Sequence, residues 1–158
     1  MADKVIYPGT FDPVTFGHID IIKRCVKLFD EVVIAVAIND DKNPLFNVEE
    51  RVELINQSIK GMNSVKVVSF SGLLVEYAKE LNINTVIRGI RAFSDFEFEF
   101  QMALTNRKLC DEVETIFMMP NEQYSYISSR AIKEICKLGG DVNCFVPECV
   151  SQKLKEKI

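Results

Sequence analysis

The stretch Tyr7-Pro8-Gly9-Thr10-Phe11-Asp12-Pro13-Val14-Thr15-Phe16-Gly17-His18 joins a strand pattern to a helix pattern. Before it, Lys4–Tyr7 has the apolar character of a short strand, and after it apolar residues recur at helical spacing, at Ile19, Ile22, Val26 and Phe29. The stretch therefore predicts a strand, a glycine-containing loop and a helix, with the chain's one histidine, His18, in the helix's first turn. Because the N–H groups and partial positive charge of a helix N-terminus bind anions, this loop is a candidate phosphate site.

His18 taken alone is equally compatible with an ordinary polar residue at a helix start, with Gly9 and Gly17 only turning the chain. Neither G-x-G-x-x-G nor G-x-x-x-x-G-K-[ST] occurs in the sequence. The absence of both motifs argues against the dinucleotide-binding and P-loop classes of phosphate site.

The composition predicts one domain spanning residues 1–158, because 47% of the residues are hydrophobic and the chain is short for two cores. The net charge of −4 argues against a surface devoted to nucleic acid or anionic membrane and favours a small anionic ligand. Five cysteines without C-x-x-C spacing predict reduced thiols. With no signal-peptide pattern, and a longest apolar run too short to span a bilayer, we expect a cytoplasmic protein.

Four further segments have strand character, and stretches long enough for crossover helices separate them. They are Val32–Ile38, Val65–Phe70, Thr85–Ile87 and Val113–Met119. The first of these is a continuous, largely β-branched run, which is typical of a strand buried on both faces. The alternation predicts an α/β fold with a Rossmann-like, doubly wound, five-stranded parallel sheet.

Helix boundaries are marked by capping patterns and glycines. Asn47-x-x-Glu50 predicts a helix start and Gly61 its stop, and Leu73–Leu81 carries the next helical pattern. After the last strand we expect a helix that opens at Ser128-Ser129 and ends at Gly139-Gly140, then a short terminal helix within Pro147–Lys157.

Phe96-Glu97-Phe98-Glu99-Phe100 is ambiguous, because it alternates like a strand while Phe93, Phe96, Phe100 and Ala103 also fit a helical stripe. Ser94-x-x-Glu97 has the form of a capping box, so we interpret the segment as a helix with that stripe as its main apolar face. Phe98 then lies off the stripe, as either a subunit contact or an isolated exposed residue.

Chemically capable side chains follow each predicted strand, at the edge where ligands bind in open parallel sheets. Their residue types favour neutralising and orienting a polyphosphate during phosphoryl or nucleotidyl transfer. No Ser-His-Asp arrangement and no metal-ligand spacing is evident, which disfavours triad or zinc hydrolysis. Individually, Lys42 also fits a solvated loop lysine, and Ser128 and Ser129 also fit helix caps. The candidates, in chain order, are Thr10, His18, Lys42, Ser71-Gly72, Arg88–Arg91 and Tyr124–Arg130.

Two short motifs resemble those of the nucleotidylyltransferase superfamily. Thr15-Phe16-Gly17-His18 is similar to its T/H-x-G-H motif, and Ile127-Ser128-Ser129 is similar to its I-S-S motif. Across essentially the whole chain, four segments together resemble the phosphopantetheine adenylyltransferase family. These are Tyr7–Pro13, Gly17–Asp20, Ile87–Arg91 and Asp95–Glu97.

The resemblance implies that ATP and 4′-phosphopantetheine give dephospho-coenzyme A and pyrophosphate by in-line attack on the α-phosphorus. It implies that Thr10 and His18 stabilise the transition state, and that Mg²⁺ accompanies ATP without a protein ligand cluster. It further implies a homohexamer and feedback binding of coenzyme A. The acceptor would contact Thr10, Lys42, Leu74 and Arg88. The implied ATP contacts are Thr10, Phe11, His18, Gly89, Ile90, Arg91, Glu99, Tyr124, Ser125, Tyr126, Ile127, Ser128, Ser129 and Arg130.

The sequence departs from the family pattern at two positions. Phe16 stands where the residue is often small or polar, and Arg130 stands where a third serine often follows I-S-S. The T/H-x-G-H core does not choose among acceptors, so an enzyme that adenylates nicotinamide mononucleotide, or a cytidylyltransferase, stays a rival. A non-catalytic nucleotide-binding regulatory domain is a second rival, although it would not need His18, Lys42 and Arg88 to converge.

Overall fold

Among residues 3–39 and 43–158, which the computed structural model describes, five strands form one parallel sheet in the order β3-β2-β1-β4-β5. Their bounds are β1 Lys4–Gly9, β2 Glu31–Ala37, β3 Val65–Phe70, β4 Thr85–Gly89 and β5 Glu114–Met118. The direction of winding reverses between β1 and β4, which is where doubly wound sheets bind ligands. The predicted fold class is confirmed, and β3 has the bounds that the sequence predicted.

Six helices connect and follow the strands within the same described residues. They are α1 Phe16–Leu28, α2 Val48–Ser58, α3 Leu74–Glu80, α4 Phe93–Leu109, α5 Ser129–Lys137 and α6 Glu148–Lys157, with a single 3₁₀ turn at Glu122–Tyr124. No helix in this part of the chain is both long and apolar enough to cross a bilayer.

Alternate residues of the central strands face opposite helical layers. Val5 and Ile34 pack on the side of α1, α2, α5 and α6, whereas Ile6, Val33 and Val86 pack on the side of α3. Both sets are buried, as the continuous apolar runs predicted. Burying each such side chain contributes about 1.5–3 kcal/mol to the stability of the fold. The well-packed sheet therefore holds the loops at its carboxyl edge in fixed positions.

Two of the predicted helix starts are confirmed in detail. Asn47 caps α2 by accepting from the N–H of Glu50, and the Glu50 carboxylate accepts from the N–H of Asn47. Ser128 caps α5 by accepting from the N–H of Ala131. These caps satisfy N–H groups that the helices themselves leave without partners.

The start of α4 is a correction. The segment is a helix as interpreted, but its N-cap is Ala92, without a side-chain cap, so Ser94 lies inside the first turn and the expected capping box does not open the helix. The expected apolar stripe is also wrong, because Phe96 and Phe100 are 45% and 47% exposed whereas Glu99 is 8% exposed. Glu99 turns inward because Arg88 on β4 pairs with it.

Candidate active site

The carboxyl ends of β1 and β4 border a cavity of about 550 Å³, within the size range of small-molecule sites. It brings together most of the predicted site residues from separate parts of the chain, as the common sheet edge required. Those in its lining are Thr10, Phe11, His18, Arg88, Gly89, Arg91, Glu99, Tyr124, Ile127, Ser128, Ser129 and Arg130.

Three predicted site residues, Ile90, Ser125 and Tyr126, lie outside the lining of this cavity. Ile90 donates its N–H to the carbonyl of Met118, and the Ser125 hydroxyl donates to the carbonyls of Pro120 and Asn121. The side chain of Tyr126 is 72% exposed and packs edge-on against Phe145. Lys42 lies outside the described residues.

A smaller cavity of about 320 Å³ adjoins the first and holds Leu74, together with Gly72 of the predicted Ser71-Gly72 pair. Its wall is largely apolar and includes Phe70, Leu73, Phe98 and Met102. Thr10 and Arg88 line both cavities. A hydroxyl group and a guanidinium therefore lie at the junction of a more polar cavity and a largely apolar one.

The imidazole of His18 is fixed by its own helix start. Its Nδ1 accepts from the N–H of Thr15 at 3.0 Å, while the N–H of His18 donates to Thr15 Oγ1 at 3.3 Å, so the histidine takes the part that Glu or Gln plays in a capping box. Because Nδ1 accepts a hydrogen bond, the neutral ring carries its proton on Nε2. His18 thus offers the cavity a hydrogen-bond donor.

Burial lowers the pKa of His18 to about 4, and the positive charges of Arg91 and Arg88 act in the same direction. The ring is therefore neutral at pH 7. Phe11 contributes to its packing, with the two ring centroids 4.9 Å apart in an edge-to-face arrangement. The site consequently uses an oriented neutral imidazole beside fixed guanidinium charges.

The cavity's basic side chains are paired with carboxylates. Two guanidinium nitrogens of Arg88, Nε and Nη2, donate to Glu99. Arg91 donates through Nε to Asp95 at 3.0 Å. Lys133 on α5 donates to Asp12 at 2.8 Å. Pairing holds the cations in place while leaving further N–H donors for a ligand, since Arg has five and Lys three.

The loop before α5 is attached to the rest of the site by side chains. Arg91 Nη1 donates to the carbonyl of Ile127 at 3.1 Å, and the hydroxyl of Ser129 donates to the carbonyl of Pro13 at 2.8 Å. The Ser128 hydroxyl serves as the helix cap. Both serines thus have structural hydrogen bonds, and the N–H groups of the first turn of α5 are the additional donors at this wall.

The two departures from the family pattern have visible surroundings. Phe16 packs against Tyr124, with ring centroids 5.9 Å apart, and so supports the 3₁₀ turn at the cavity. The Arg130 side chain is 88% exposed and lies 3.4 Å from Glu134. It is therefore the least constrained of the cavity's basic residues.

Gly89 lies in close contact with α1. A Cβ atom at this position would lie 2.6 Å from Cδ1 of Ile21 on α1. The missing side chain lets α1 pack closely over the end of β4.

The sequence predictions missed Asp12, Asp95 and Lys133, all of which line the cavity. Two of the three had a local signal, since Asp95 is four residues after Arg91 in the sequence, and Lys133 is four residues after Ser129 on the same face of α5. The pairing of Asp12 with Lys133 spans 121 residues and had none.

Residues 6–135 match the model of the cytidylyltransferase-like family. A solved structure described as a nicotinate-nucleotide adenylyltransferase from Vibrio parahaemolyticus has a TM-score of 0.73, with 21% identity, 98% of this chain and 99% of that one covered. The structural likeness shows the fold. The family match shows that the chain belongs to the cytidylyltransferase-like enzymes.

Two curated relatives narrow this class. A phosphopantetheine adenylyltransferase from Alkaliphilus metalliredigens is 55% identical over 96% of this chain and 97% of the relative. Another from Caldanaerobacter subterraneus subsp. tengcongensis is 54% identical over 96% of this chain and 95% of the relative. The chain belongs to the phosphopantetheine adenylyltransferase family.

Proposed function

We propose that this protein transfers the adenylyl group of ATP to 4′-phosphopantetheine, giving dephospho-coenzyme A and pyrophosphate in coenzyme A biosynthesis. The observation that carries the proposal is the junction of the two cavities, where Thr10 and Arg88 face both chambers. The more polar cavity suits the nucleotide and its phosphates, and the largely apolar one suits the pantetheine arm. The names of the relatives support the same assignment.

The larger cavity would hold ATP, with its α-phosphate beside Thr10 and His18. The Nε2–H of His18 and the hydroxyl of Thr10 would donate to the non-bridging oxygens of the α-phosphate, whose charge changes most during transfer. Arg91, with the helix start at Ser128 and Ser129, would hold the nucleotide and its triphosphate. Phe11, Gly89, Tyr124, Ile127 and Arg130 line the same cavity and complete the proposed ATP contacts, whereas Glu99 would act by orienting Arg88.

The acceptor would bind with its phosphate at Arg88 and Thr10 and its arm along Leu74 in the apolar cavity. Lys42 would supply a further cation to this phosphate. A phosphate monoester is largely dianionic at neutral pH, since its second pKa is about 6, so its oxygen attacks without a protein base. The α-phosphorus gains this new P–O bond as its bond to the bridging oxygen of pyrophosphate breaks.

Mg²⁺ is proposed to enter with ATP. The cavity carboxylates Asp12, Asp95 and Glu99 are each paired with a cation, and the described part of the chain holds no group of three or more His, Cys, Asp or Glu side chains placed as ligands. This donor set fits an ion held by phosphate oxygens and water better than a protein-bound metal. The ion would neutralise triphosphate charge.

We also propose a cytoplasmic homohexamer that binds coenzyme A as a feedback ligand. Self-association is supported by α4, because large apolar side chains are exposed on more than one side of this helix. They are Phe96, Phe98, Phe100, Met102, Leu104 and Leu109. Coenzyme A contains the product's pantetheine and adenylate parts, so the same two cavities would accept it.

The purified protein incubated with ATP and Mg²⁺ tests the reaction, with phosphopantetheine, nicotinamide mononucleotide or phosphocholine as the acceptor in parallel. Pyrophosphate release and mass spectrometry of the product are the measurements. We expect pyrophosphate and dephospho-coenzyme A with the first acceptor only. Pantetheine without its phosphate is the matched control, and faster turnover with another acceptor would overturn the proposal.

A further inference from the structure

Arg51 on α2 is a buried cation, 3% exposed, that donates to main-chain carbonyls. Its Nη1 donates to Thr10 at 2.8 Å and to Ala37 at 3.0 Å, and its Nε donates to Phe46 at 3.1 Å. These acceptors come from the loop after β1, the end of β2 and the residue before the cap of α2. One guanidinium therefore joins three segments at the carboxyl edge of the sheet.

The position of Arg51 coincides with the end of a ladder. The pairing of β1 with β2 runs to Gly9 and Val36, so Thr10 and Ala37 are the first residues beyond it. The carbonyls of these two residues therefore have no hydrogen-bond partner within the β1–β2 ladder. A buried carbonyl without a partner costs free energy. The planar guanidinium bridges both and fixes where the chain of Thr10 leaves the sheet.

Asp12, which carries the opposite charge, binds the same loop through the loop's N–H groups. Its carboxylate, 5% exposed, accepts from the N–H groups of Leu45 and Phe46, each at 2.9 Å, and from Lys133. Phe46 is thereby held at its N–H by Asp12 and at its carbonyl by Arg51. The base of the β2–α2 loop is thus fastened to the turn that carries Thr10.

A purely structural role explains this charge poorly. Burial lowers the pKa of Arg51, which expresses the cost of keeping a cation out of water, and apolar residues of similar volume often replace buried ions without loss of stability. The cost is incurred beneath the two cavities, at the main chain of Thr10, whose side chain lines both. The position of Arg51 next to the main chain of Thr10 accounts for this cost.

We infer that Arg51, acting with Asp12, is a positioning residue of the transfer reaction: it sets the main chain of Thr10 so that the hydroxyl meets the reacting phosphate. The inference rests on the proposed function, because it names the residues that place one of its groups. Arg51 touches no substrate in this role and acts through Thr10.

The test compares wild type with Arg51→Met, Arg51→Lys and Asp12→Asn, at a temperature where circular dichroism shows each protein to be folded. A misplacement of about 1 Å costs about 100-fold in rate, so we expect kcat to fall by about that factor in Arg51→Met. Affinity for ATP, measured by calorimetry, should change far less than kcat. Arg107→Met is the matched control, since Arg107 lies exposed near the end of α4.

A double-mutant cycle with Thr10→Ala separates positioning from general damage. If Arg51 acts through Thr10, adding Arg51→Met to Thr10→Ala lowers kcat little further, whereas independent losses multiply. Independent losses, or unchanged kcat in Arg51→Met, would overturn the inference; if Arg51→Met fails to fold, Arg51→Lys takes its place in the cycle. Failure of wild type to release pyrophosphate would instead count against the proposed function.

Discussion

Both carboxylate oxygens of Glu99 on α4 accept hydrogen bonds from the guanidinium of Arg88 on β4, one from Nε at 2.7 Å and one from Nη2 at 2.5 Å. The third guanidinium nitrogen, Nη1, donates to the carbonyl of Pro8 at 2.9 Å. Burial alone would lower the pKa of Arg88, but the hydrogen bonds and charge of Glu99 outweigh it and raise that pKa. Arg88 is consequently a fixed, permanent cation where the two cavities meet.

This geometry predicts that Glu99→Gln impairs the acceptor more than ATP. The amide keeps the shape of the side chain but not the charge, so Arg88 loses the partner that orients it. Steady-state kinetics should show the KM for phosphopantetheine rising by about tenfold, equivalent to about 1.4 kcal/mol of binding, with a smaller change for ATP.

Glu97→Gln provides the matched control, because Glu97 lies exposed on the same helix. It should leave both KM values near those of wild type. A larger rise in the KM for ATP than for the acceptor in Glu99→Gln would instead assign Glu99 to the nucleotide directly.

The hydrogen bond from Thr15 to Nδ1 predicts the state of the His18 ring. NMR of the side-chain nitrogens should show the Nε2–H tautomer from pH 5 to 8 and a titration midpoint near 4. The sequence has one histidine, so the signals need no assignment. The same ring in urea-unfolded protein should titrate near its ordinary pKa of about 6.5. A midpoint near that value in the folded protein would contradict the arrangement.

The exposed apolar side chains of α4 predict which substitution would disrupt the proposed hexamer. Leu104 and Leu109 are 48% and 56% exposed and lie outside both cavities, so Leu104→Lys should disrupt assembly without touching the ligands directly. Light scattering after gel filtration should give six times the 18.0 kDa chain mass for wild type and a smaller species for the variant. Leu138→Lys, at a position 89% exposed beyond α5, should stay hexameric. A hexamer in both variants would place the interface elsewhere.

The sheet and the common edge were predictable from sequence because their signals are local. A β-branched run such as Val32–Ile38 specifies a doubly buried strand wherever it lies, and parallel strands bring their carboxyl ends together. The gathering of Thr10, His18, Arg88 and Arg91 around one cavity follows from this alone.

The pairings inside the site were not predictable, because they join residues far apart in sequence. Glu99 stands between two phenylalanines in the sequence, and only Arg88 on the neighbouring strand makes its burial favourable. The cap of α4 was misassigned since Ala92 offers no side-chain signal at all. Arg51 likewise binds carbonyls that no motif marks.

The low pKa of His18 also predicts how stability depends on pH. The folded-state pKa of about 4 lies below the ordinary 6.5, so protons bind the unfolded chain more tightly. This contribution to the free energy of unfolding is complete above about pH 6.5 and is lost as pH falls toward 4, with a slope approaching about 1.4 kcal/mol per pH unit at most. Urea denaturation of wild type and His18→Gln across pH 4–8 measures it, since glutamine keeps the capping box but does not titrate. Wild type should lose stability relative to the variant as pH falls, and parallel curves would show that the ring is not held neutral.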